Sequence, residues 1–159
     1  MKKSPPTALV DFLKSYEPAV RELTLAVRAF VVGLISPMTE LVVEASDSLS
    51  IAYTPSGKFK QAICHIVTTA GRVDLCFNQG AEMPDPTGLL RGTGKSLRHV
   101  TIERPVDLDR VALRALLVAA ASHVHHTGTH HGVIIKSASG PKRWPGTVVG
   151  KFGAEAGAD

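Results

Sequence analysis

The sequence predicts an α+β fold in which two helical regions flank an antiparallel five-stranded meander, with both helices on one face of the sheet. Apolar residues recur at three- and four-residue steps near both ends of the predicted domain, and they alternate with polar residues in between. A period of 3.6 marks a helix and a period of two marks a strand. Short polar turns separate the predicted strands, which favours antiparallel pairing. Packing both helices on one face gives a single core.

The first helical region begins with a short helix over Thr7–Lys14 and continues with a longer amphipathic helix. Pro18 fits the first turn of the longer helix, where a backbone N–H has no helical partner. Ser36-Pro37 ends the helix, because proline disfavours helical backbone in the residue before it. The apolar face of this helix consists of Val20, Leu23, Val27, Phe30, Val31 and Leu34.

Five strands follow, recognised by β-branched residues and by alternation of apolar and polar side chains. Turn-forming residues separate the first four, as in Ser46-Asp47-Ser48 and Pro55-Ser56-Gly57. The predicted strands are Thr39–Ala45, Leu49–Thr54, Phe59–Thr68, Arg72–Asn78 and Leu97–Glu103.

The two cysteines, Cys64 and Cys76, lie on adjacent predicted strands. Pairing the apolar residues of these strands places both cysteines on the same face, opposite each other. Two cysteines do not make a disulfide framework, and a reducing compartment keeps thiols free. We therefore expect two free thiols.

The second helical region begins at Asp107, which suits an N-cap, with Asp109 in the first turn of the helix. This helix is apolar over most of its circumference, which predicts that it is well buried. It is expected to end near His126 or Thr127, before Gly128. Residues 7–127 form the predicted domain, and residues 128–159 form a Gly-rich basic C-terminal tail that contains one apolar run, Val133–Ile135.

Composition limits the classes of function. The chain has 159 residues, of which 44% are hydrophobic and 20% charged, as is typical of a folded protein. No apolar stretch approaches the roughly 20 residues that span a bilayer, and Pro5, Pro6 and Asp11 interrupt any signal-peptide core. We therefore expect a cytoplasmic protein with no membrane partner. The net charge of +4 is too small to predict a nucleic-acid partner.

Positive charge is concentrated in two segments that contain no acid. One is Gly88–Val100, and the other is Gly132–Lys151. The first contains Arg91, Lys95, Arg98 and His99, and the second contains Lys136, Lys142, Arg143 and Lys151.

The stretch Gly80–Val100 reads GAEMPDPTGLLRGTGKSLRHV. It resembles the signature of the YdhG-like family of small bacterial domains of unknown function. The resemblance runs from about Val10 to Ala121 and includes Tyr16-Glu17-Pro18, Glu44 and Tyr53. It implies a frataxin-like fold, with a helix, an antiparallel sheet and a helix in that order. One member of the family is regarded as a frataxin-type iron chaperone, so the resemblance also implies iron as an alternative ligand.

The glycine-rich part of this stretch is the strongest candidate site. Gly92 and Gly94 can present backbone N–H groups, and Lys95 and Arg98 can surround them with positive charge, as an anion-binding concavity requires. The alternative is that the glycines only permit a positive φ and that the basic side chains are solvated. The apolar residues Met83, Leu89 and Leu90 predict that the loop packs against the domain.

A phosphate-binding P-loop is excluded by spacing and by context. Leu89 occupies the position at which that motif requires its first glycine, and Ser96 leads into a predicted strand where the motif requires a helix.

Asp85 begins a type I turn, Asp85-Pro86-Thr87-Gly88, and is expected to bind local backbone amides. His99 is the only candidate partner base near it in the sequence. An enzyme built on this loop would use Asp85, Lys95, Arg98 and His99. The sequence contains no recognisable nucleophile–histidine–acid arrangement.

Iron prefers oxygen ligands. Glu17 and Glu22 are five residues apart and do not share a helix face, so the acids predict a solvated surface better than an iron-binding ridge. The acids of the first helices and strands are Asp11, Glu17, Glu22, Glu40, Glu44 and Asp47.

Five histidines lie between residues 123 and 131. His123 and His126 are three residues apart, a spacing that metal sites use, but histidines also suit a helix C-terminus. Metal binding in this segment is left open.

These observations favour a small non-enzymatic binding or carrier module whose Gly88–His99 loop takes an anionic ligand or partner. The predicted ligand-binding residues are Asp85, Gly92, Gly94, Lys95, Arg98 and His99. The alternatives are a frataxin-type intracellular iron chaperone and an enzyme that uses the same loop.

Overall fold

Three α-helices and a seven-stranded mixed sheet make up the part of the chain that the structure describes. The structure is a computed structural model, and it describes residues 4–35, 37–122, 132–137 and 148–151. The predicted α+β class is confirmed.

Helices α1 and α2 precede the sheet. Helix α1 spans Thr7–Leu13, and α2 spans Pro18–Leu34 with its proline in the first turn, as predicted. The buried residues Leu23, Val27 and Val31 recur at four-residue steps, so one side of α2 faces the core.

Helix α3 spans Val111–Ser122 and follows a 3₁₀ turn over Pro105–Asp109. Asp107 therefore belongs to that turn and does not cap α3, because its carboxylate accepts the backbone N–H groups of Glu103 and Arg104 instead. The predicted end of the helix, near His126 or Thr127, lies outside the described residues.

The prediction that α3 is well buried is only partly correct. Leu113 and Leu117 are fully buried, but Val111 and Val118 are 82% and 49% exposed. One apolar side of the helix therefore faces solvent. No helix in the described ranges combines the length and the apolarity that a membrane crossing requires.

The strands follow one another across the sheet in the order β5-β4-β3-β2-β1-β6-β7. All neighbours from β1 to β5 pair antiparallel, whereas β6 runs parallel to β1 and β7 runs parallel to β6. Their bounds are β1 Thr39–Glu44, β2 Leu49–Thr54, β3 Cys64–Thr69, β4 Arg72–Phe77, β5 Arg98–Ile102, β6 Val133–Ser137 and β7 Val148–Lys151.

The sheet therefore differs from the predicted five-stranded antiparallel meander. Strands β6 and β7 come from the segment predicted as a tail, and β6 contains the apolar run Val133–Ile135. Ile135 is fully buried in the main core, and the β6 backbone hydrogen-bonds to the side of β1 that a meander would leave as an open edge.

The main core lies on one face of the sheet, here called the inner face. It combines side chains of α2 and α3 with strand residues that include Ile51, Ile66 and Leu75. On the opposite, outer face a smaller apolar cluster forms around Leu41 and Ala52.

The register of β3 and β4 overturns the prediction for the cysteines. Cys64 pairs with Phe77 and His65 pairs with Cys76, so the two cysteines are one position out of register and point to opposite faces. The predicted third strand began at Phe59, but Phe59–Gln61 is a 3₁₀ turn and β3 starts at Cys64. Both thiols are free and buried.

Candidate functional site

The segment between β4 and β5 packs against the domain, as its apolar residues predict. Met83 is buried, and Leu89 and Leu90 are half-buried against the main core. The N–H of Ala81 donates to the carbonyl of Ser96 over 2.8 Å, which joins the two ends of the segment. The glycine-rich part is therefore held at both ends by the body of the protein.

Asp85 organises this segment from within. Its two carboxylate oxygens accept the backbone N–H groups of Leu89 and Leu90 at 2.9 and 3.0 Å, and its carbonyl accepts the N–H of Gly88 at 3.2 Å. Gly88 has a φ of 68°, which few other residues adopt. Asp85 thus binds local amides, as the turn signature predicted.

Arg91 brings the chain back along the exposed side of β5, the strand at one edge of the sheet. Arg91 and His99 exchange both backbone hydrogen bonds, at 2.8 and 2.9 Å. This bridge covers part of the open edge of β5. Gly92, the next residue, has a φ of 117°. A Cβ at Gly92 would lie 3.6 Å from Nδ1 of His99 and 3.7 Å from Cδ of Arg98.

Gly94 differs from Gly88 and Gly92 because its φ lies outside the positive range. The conformational explanation of the glycines therefore applies to Gly92 but not to Gly94. Within the described residues, no α-helix follows Lys95-Ser96, since β5 begins at Arg98. This arrangement agrees with the exclusion of a P-loop.

Arg98 folds back onto the turn that precedes it. One terminal nitrogen of its guanidinium donates to the carbonyls of Gly94 and Leu97 at 2.5 and 2.7 Å. On the other side, a Cβ at Gly80 would lie 2.5 Å from the Arg98 Cβ, so a side chain there would collide with β5. The base of Arg98 is thus fixed by backbone, while its guanidinium is partly exposed.

The positive charges of the loop have no acidic partner in the part of the chain that the structure describes. Arg91 and Lys95 are exposed, and neither they nor Arg98 forms an ion pair there. The carboxylate of Asp85 is bound to amides, and Glu82 is exposed without an ion pair. Within the described residues, the loop cations are therefore not paired with an acid that folds back onto them.

His99 belongs to a polar network on the outer face of β4 and β5. The guanidinium of Arg72 lies 3.1 Å from Nε2 of His99 and 2.9 Å from the carboxylate of Asp74. The hydroxyl of Thr101 donates to Asp74 over 2.6 Å. Sequence reasoning missed Arg72, Asp74 and Thr101, although the register of β4 and β5 would have placed them together.

Asp85 and His99 form no hydrogen bond with each other in the described residues. The carboxylate of Asp85 is engaged by Leu89 and Leu90, and the imidazole of His99 by Arg72. The four residues of the enzyme hypothesis therefore do not form an acid–base pair in this conformation.

The carboxylates considered for iron divide between surface and core. Glu40 was expected on a solvated surface, but it is buried and forms a bidentate ion pair with Arg28 at 2.8 and 3.0 Å. The hydroxyl of Tyr53 donates to the same carboxylate over 2.7 Å. Burial, followed by the charge of Glu40, raises the pKa of Tyr53 well above its ordinary value. Glu40 is therefore a structural acid.

Within the ranges given above, no three His, Cys, Asp or Glu side chains are arranged to hold a metal ion. Ser137 donates to the carboxylate of Glu44 over 2.6 Å. The histidine-rich segment 123–131 lies outside the described residues, so the question of metal binding there is unchanged.

A cleft of about 670 Å³ lies near the network, between the first half of α2 and the ends of β4 and β5. Leu23, Val73 and Ile102 form its apolar floor, and Arg72 and Glu103 lie at its rim. The cleft does not include the glycine-rich loop, in which Arg91 and Lys95 are exposed.

Comparisons of the chain with models of protein families, with curated proteins and with solved structures give no significant match.

Proposed function

We propose that the protein is a small binding or carrier module whose Gly88–His99 loop binds an anionic ligand. Lys95 and Arg98 supply the main positive charge, and Arg91 adds to it. The backbone N–H groups near Gly92 and Gly94 complete the set of donors. Asp85 and His99 hold the loop in shape through their contacts with backbone.

A single observation carries this proposal, namely that a loop fixed at both ends bears three cations with no acidic partner among the described residues. Charged side chains whose only role is to keep a surface hydrated need no fixed backbone, because their exact positions do not matter. Here the Asp85–amide bonds and the Arg91–His99 bridge fix the backbone that carries Lys95 and Arg98. A fixed set of donors binds an anion with a smaller loss of conformational entropy than a mobile set does.

We further propose that the domain has the frataxin-like fold of the YdhG-like family. The order of α2, the antiparallel strands β1–β5 and α3 supports this assignment. The buried contact between Glu40 and Tyr53 gives one residue of the resemblance, Tyr53, a structural role. The observations on the loop favour anion binding over the iron-chaperone and enzyme alternatives.

The test is a titration of the full chain with sodium sulfate at constant ionic strength, followed by the backbone amide signals of Gly92 and Gly94 in NMR spectra. We expect saturable shifts at these glycines for the native chain. The double substitution Lys95→Ala/Arg98→Ala should abolish saturation, because it removes two of the three positive charges of the site.

Lys60→Ala is the matched control. Lys60 lies outside the loop sequence, is exposed and has no ion pair in the described residues. Its substitution changes the net charge by the same amount as Lys95→Ala. We expect native affinity for sulfate in this variant. Equal losses in Lys60→Ala and Lys95→Ala would mean that sulfate responds only to net charge, and the proposal would fail.

A further inference from the structure

The hydrogen bond between Arg72 and His99 can form with only one tautomer of His99. A guanidinium nitrogen can only donate, so Nε2 of His99 must accept the hydrogen bond of 3.1 Å. His99 is then neutral, with its proton on Nδ1. The same Arg72 nitrogen also donates to Thr101 over 3.1 Å, and Arg72 is paired with Asp74.

His99 connects this network to the glycine-rich loop. Its backbone exchanges hydrogen bonds with Arg91, and its Nδ1 lies beneath Gly92, where a Cβ would be 3.6 Å away. A second proton on the imidazole therefore places a positive charge beside Gly92, one of the residues of the proposed anion site.

Among the described residues, few groups near His99 can neutralise that charge. On β4 it faces Cys76 in the register, with Arg72 and Asp74 beyond, and on the loop side it faces Arg91. Asp74 is the only acid among these groups, and it already accepts from Arg72 and Thr101.

Behind Cys76, on β3, lies His65, which is buried and bonded through Nδ1 to Asn78 over 2.9 Å. Burial lowers the pKa of His65, which disfavours a competing positive charge on that ring.

We propose that protonation of His99 couples anion binding at the Gly88–His99 loop to pH; this inference rests on the proposed anion site. Protonated His99 loses the hydrogen bond from Arg72 and stands beside that guanidinium as a second cation. A bound anion offsets the repulsion, so proton and anion each strengthen the binding of the other by the same factor. Histidine is the side chain that ordinarily changes charge between pH 5 and 8.

The experiment compares sulfate affinity at about pH 5.5 and about pH 8, the two sides of the usual histidine range. Sulfate keeps its charge throughout, so any change in affinity comes from the protein. One added unit charge near the site predicts about fivefold tighter binding at the lower pH. His99→Gln should bind sulfate with equal affinity at both pH values, and His99→Asn should do the same.

Lys60→Ala is the matched control, because it leaves His99 in place, and it should keep the fivefold ratio. The inference is overturned if native affinity is the same at both pH values, or if His99→Gln keeps the ratio. In both cases sulfate still binds, and the proposed function stands. Failure of sulfate to saturate the native chain at either pH would refute the proposed function and the coupling with it.

Discussion

The buried cluster of Arg28, Glu40 and Tyr53 and the exposed loop that carries Lys95 and Arg98 use charge in opposite ways. In the cluster, Arg28 and Glu40 are only 4% and 6% exposed, and three hydrogen bonds engage the two carboxylate oxygens. In the loop, Lys95 is exposed and Arg98 is partly exposed, and acids among the described residues do not offset their charges.

This difference separates charges that specify the fold from charges that are available to a ligand. Removing one member of a buried ion pair leaves the other charge with neither its partner nor solvent around it, and this is strongly destabilising. Removing an exposed cation leaves nothing buried, so stability hardly changes. A charged residue that the fold does not need is a better candidate for function than one that is paired in the core.

The largest effect is expected from Arg28→Met, which leaves the Glu40 carboxylate buried without its cation. We expect a loss of about 3–5 kcal/mol in the free energy of unfolding, because the desolvation penalty of the remaining charge is no longer offset. Urea denaturation at neutral pH measures this loss. The free energy of unfolding should depend on urea concentration with the same slope in both proteins.

The matched control replaces the whole cluster, as Arg28→Met/Glu40→Leu/Tyr53→Phe. Buried polar clusters replaced completely by apolar residues of similar volume often lose little stability. We expect the triple variant to be more stable than Arg28→Met alone. A single variant as stable as the native chain would show that the cluster is not buried as described.

The sequence allowed the α+β class and most element bounds to be predicted, because hydrophobic periodicity is a local property. Three features were not predicted. Because Phe59–Gln61 is a 3₁₀ turn, β3 begins only at Cys64, and the register of β3 and β4 separates Cys64 from Cys76. The parallel pairing of β6 joins residues about ninety positions apart, as in Glu44 and Ser137.

The sequence predicted the residues of the candidate site but not the contacts between their side chains and the rest of the fold. The basic character of Gly88–His99 and the role of Asp85 could be seen locally, since the turn signature spans a few residues. Glu40 resembled other surface acids because its partners Arg28 and Tyr53 lie twelve and thirteen positions away along the chain. The contact of Arg72 with His99 could not be foreseen without the register of β4 and β5.

An intermediate effect is expected at Asp107, a buried acid whose partners are mostly backbone. Asp107→Ala should lower the free energy of unfolding by about 1–2 kcal/mol at neutral pH, because two amides lose their acceptor. Chemical denaturation at several pH values measures the loss. Asp109→Ala, an exposed neighbour, is the control and should change stability little.

The same substitution has a predicted pH dependence. Hydrogen bonds from the N–H groups of Arg104 and Glu103, with the charge of Arg110, hold the pKa of Asp107 below its ordinary value of 3.8. When the pKa of a carboxyl group is lower in the folded state than in the unfolded state, the group stabilises the fold at pH values above its unfolded pKa. This stabilisation is lost as the pH falls through the folded-state pKa. The difference in free energy of unfolding between the native chain and Asp107→Ala should therefore be largest near neutral pH and should decrease below about pH 4. A difference in free energy of unfolding that increased on acidification would contradict a lowered pKa for Asp107.

The smallest effects are expected in the loop, and they complete the comparison with the buried cluster. Lys95→Ala and Lys60→Ala should each change the free energy of unfolding by less than about 0.5 kcal/mol, as exposed substitutions usually do. Arg98→Ala should lose slightly more, about 0.5–1 kcal/mol, because its guanidinium bonds the carbonyls of Gly94 and Leu97. Water can replace these partly exposed bonds, which keeps the loss far below that of Arg28→Met. Urea denaturation of the three variants beside Arg28→Met checks the order. A loss at Lys95 comparable to that at Arg28 would make Lys95 a structural charge and remove the ground for assigning it to a ligand.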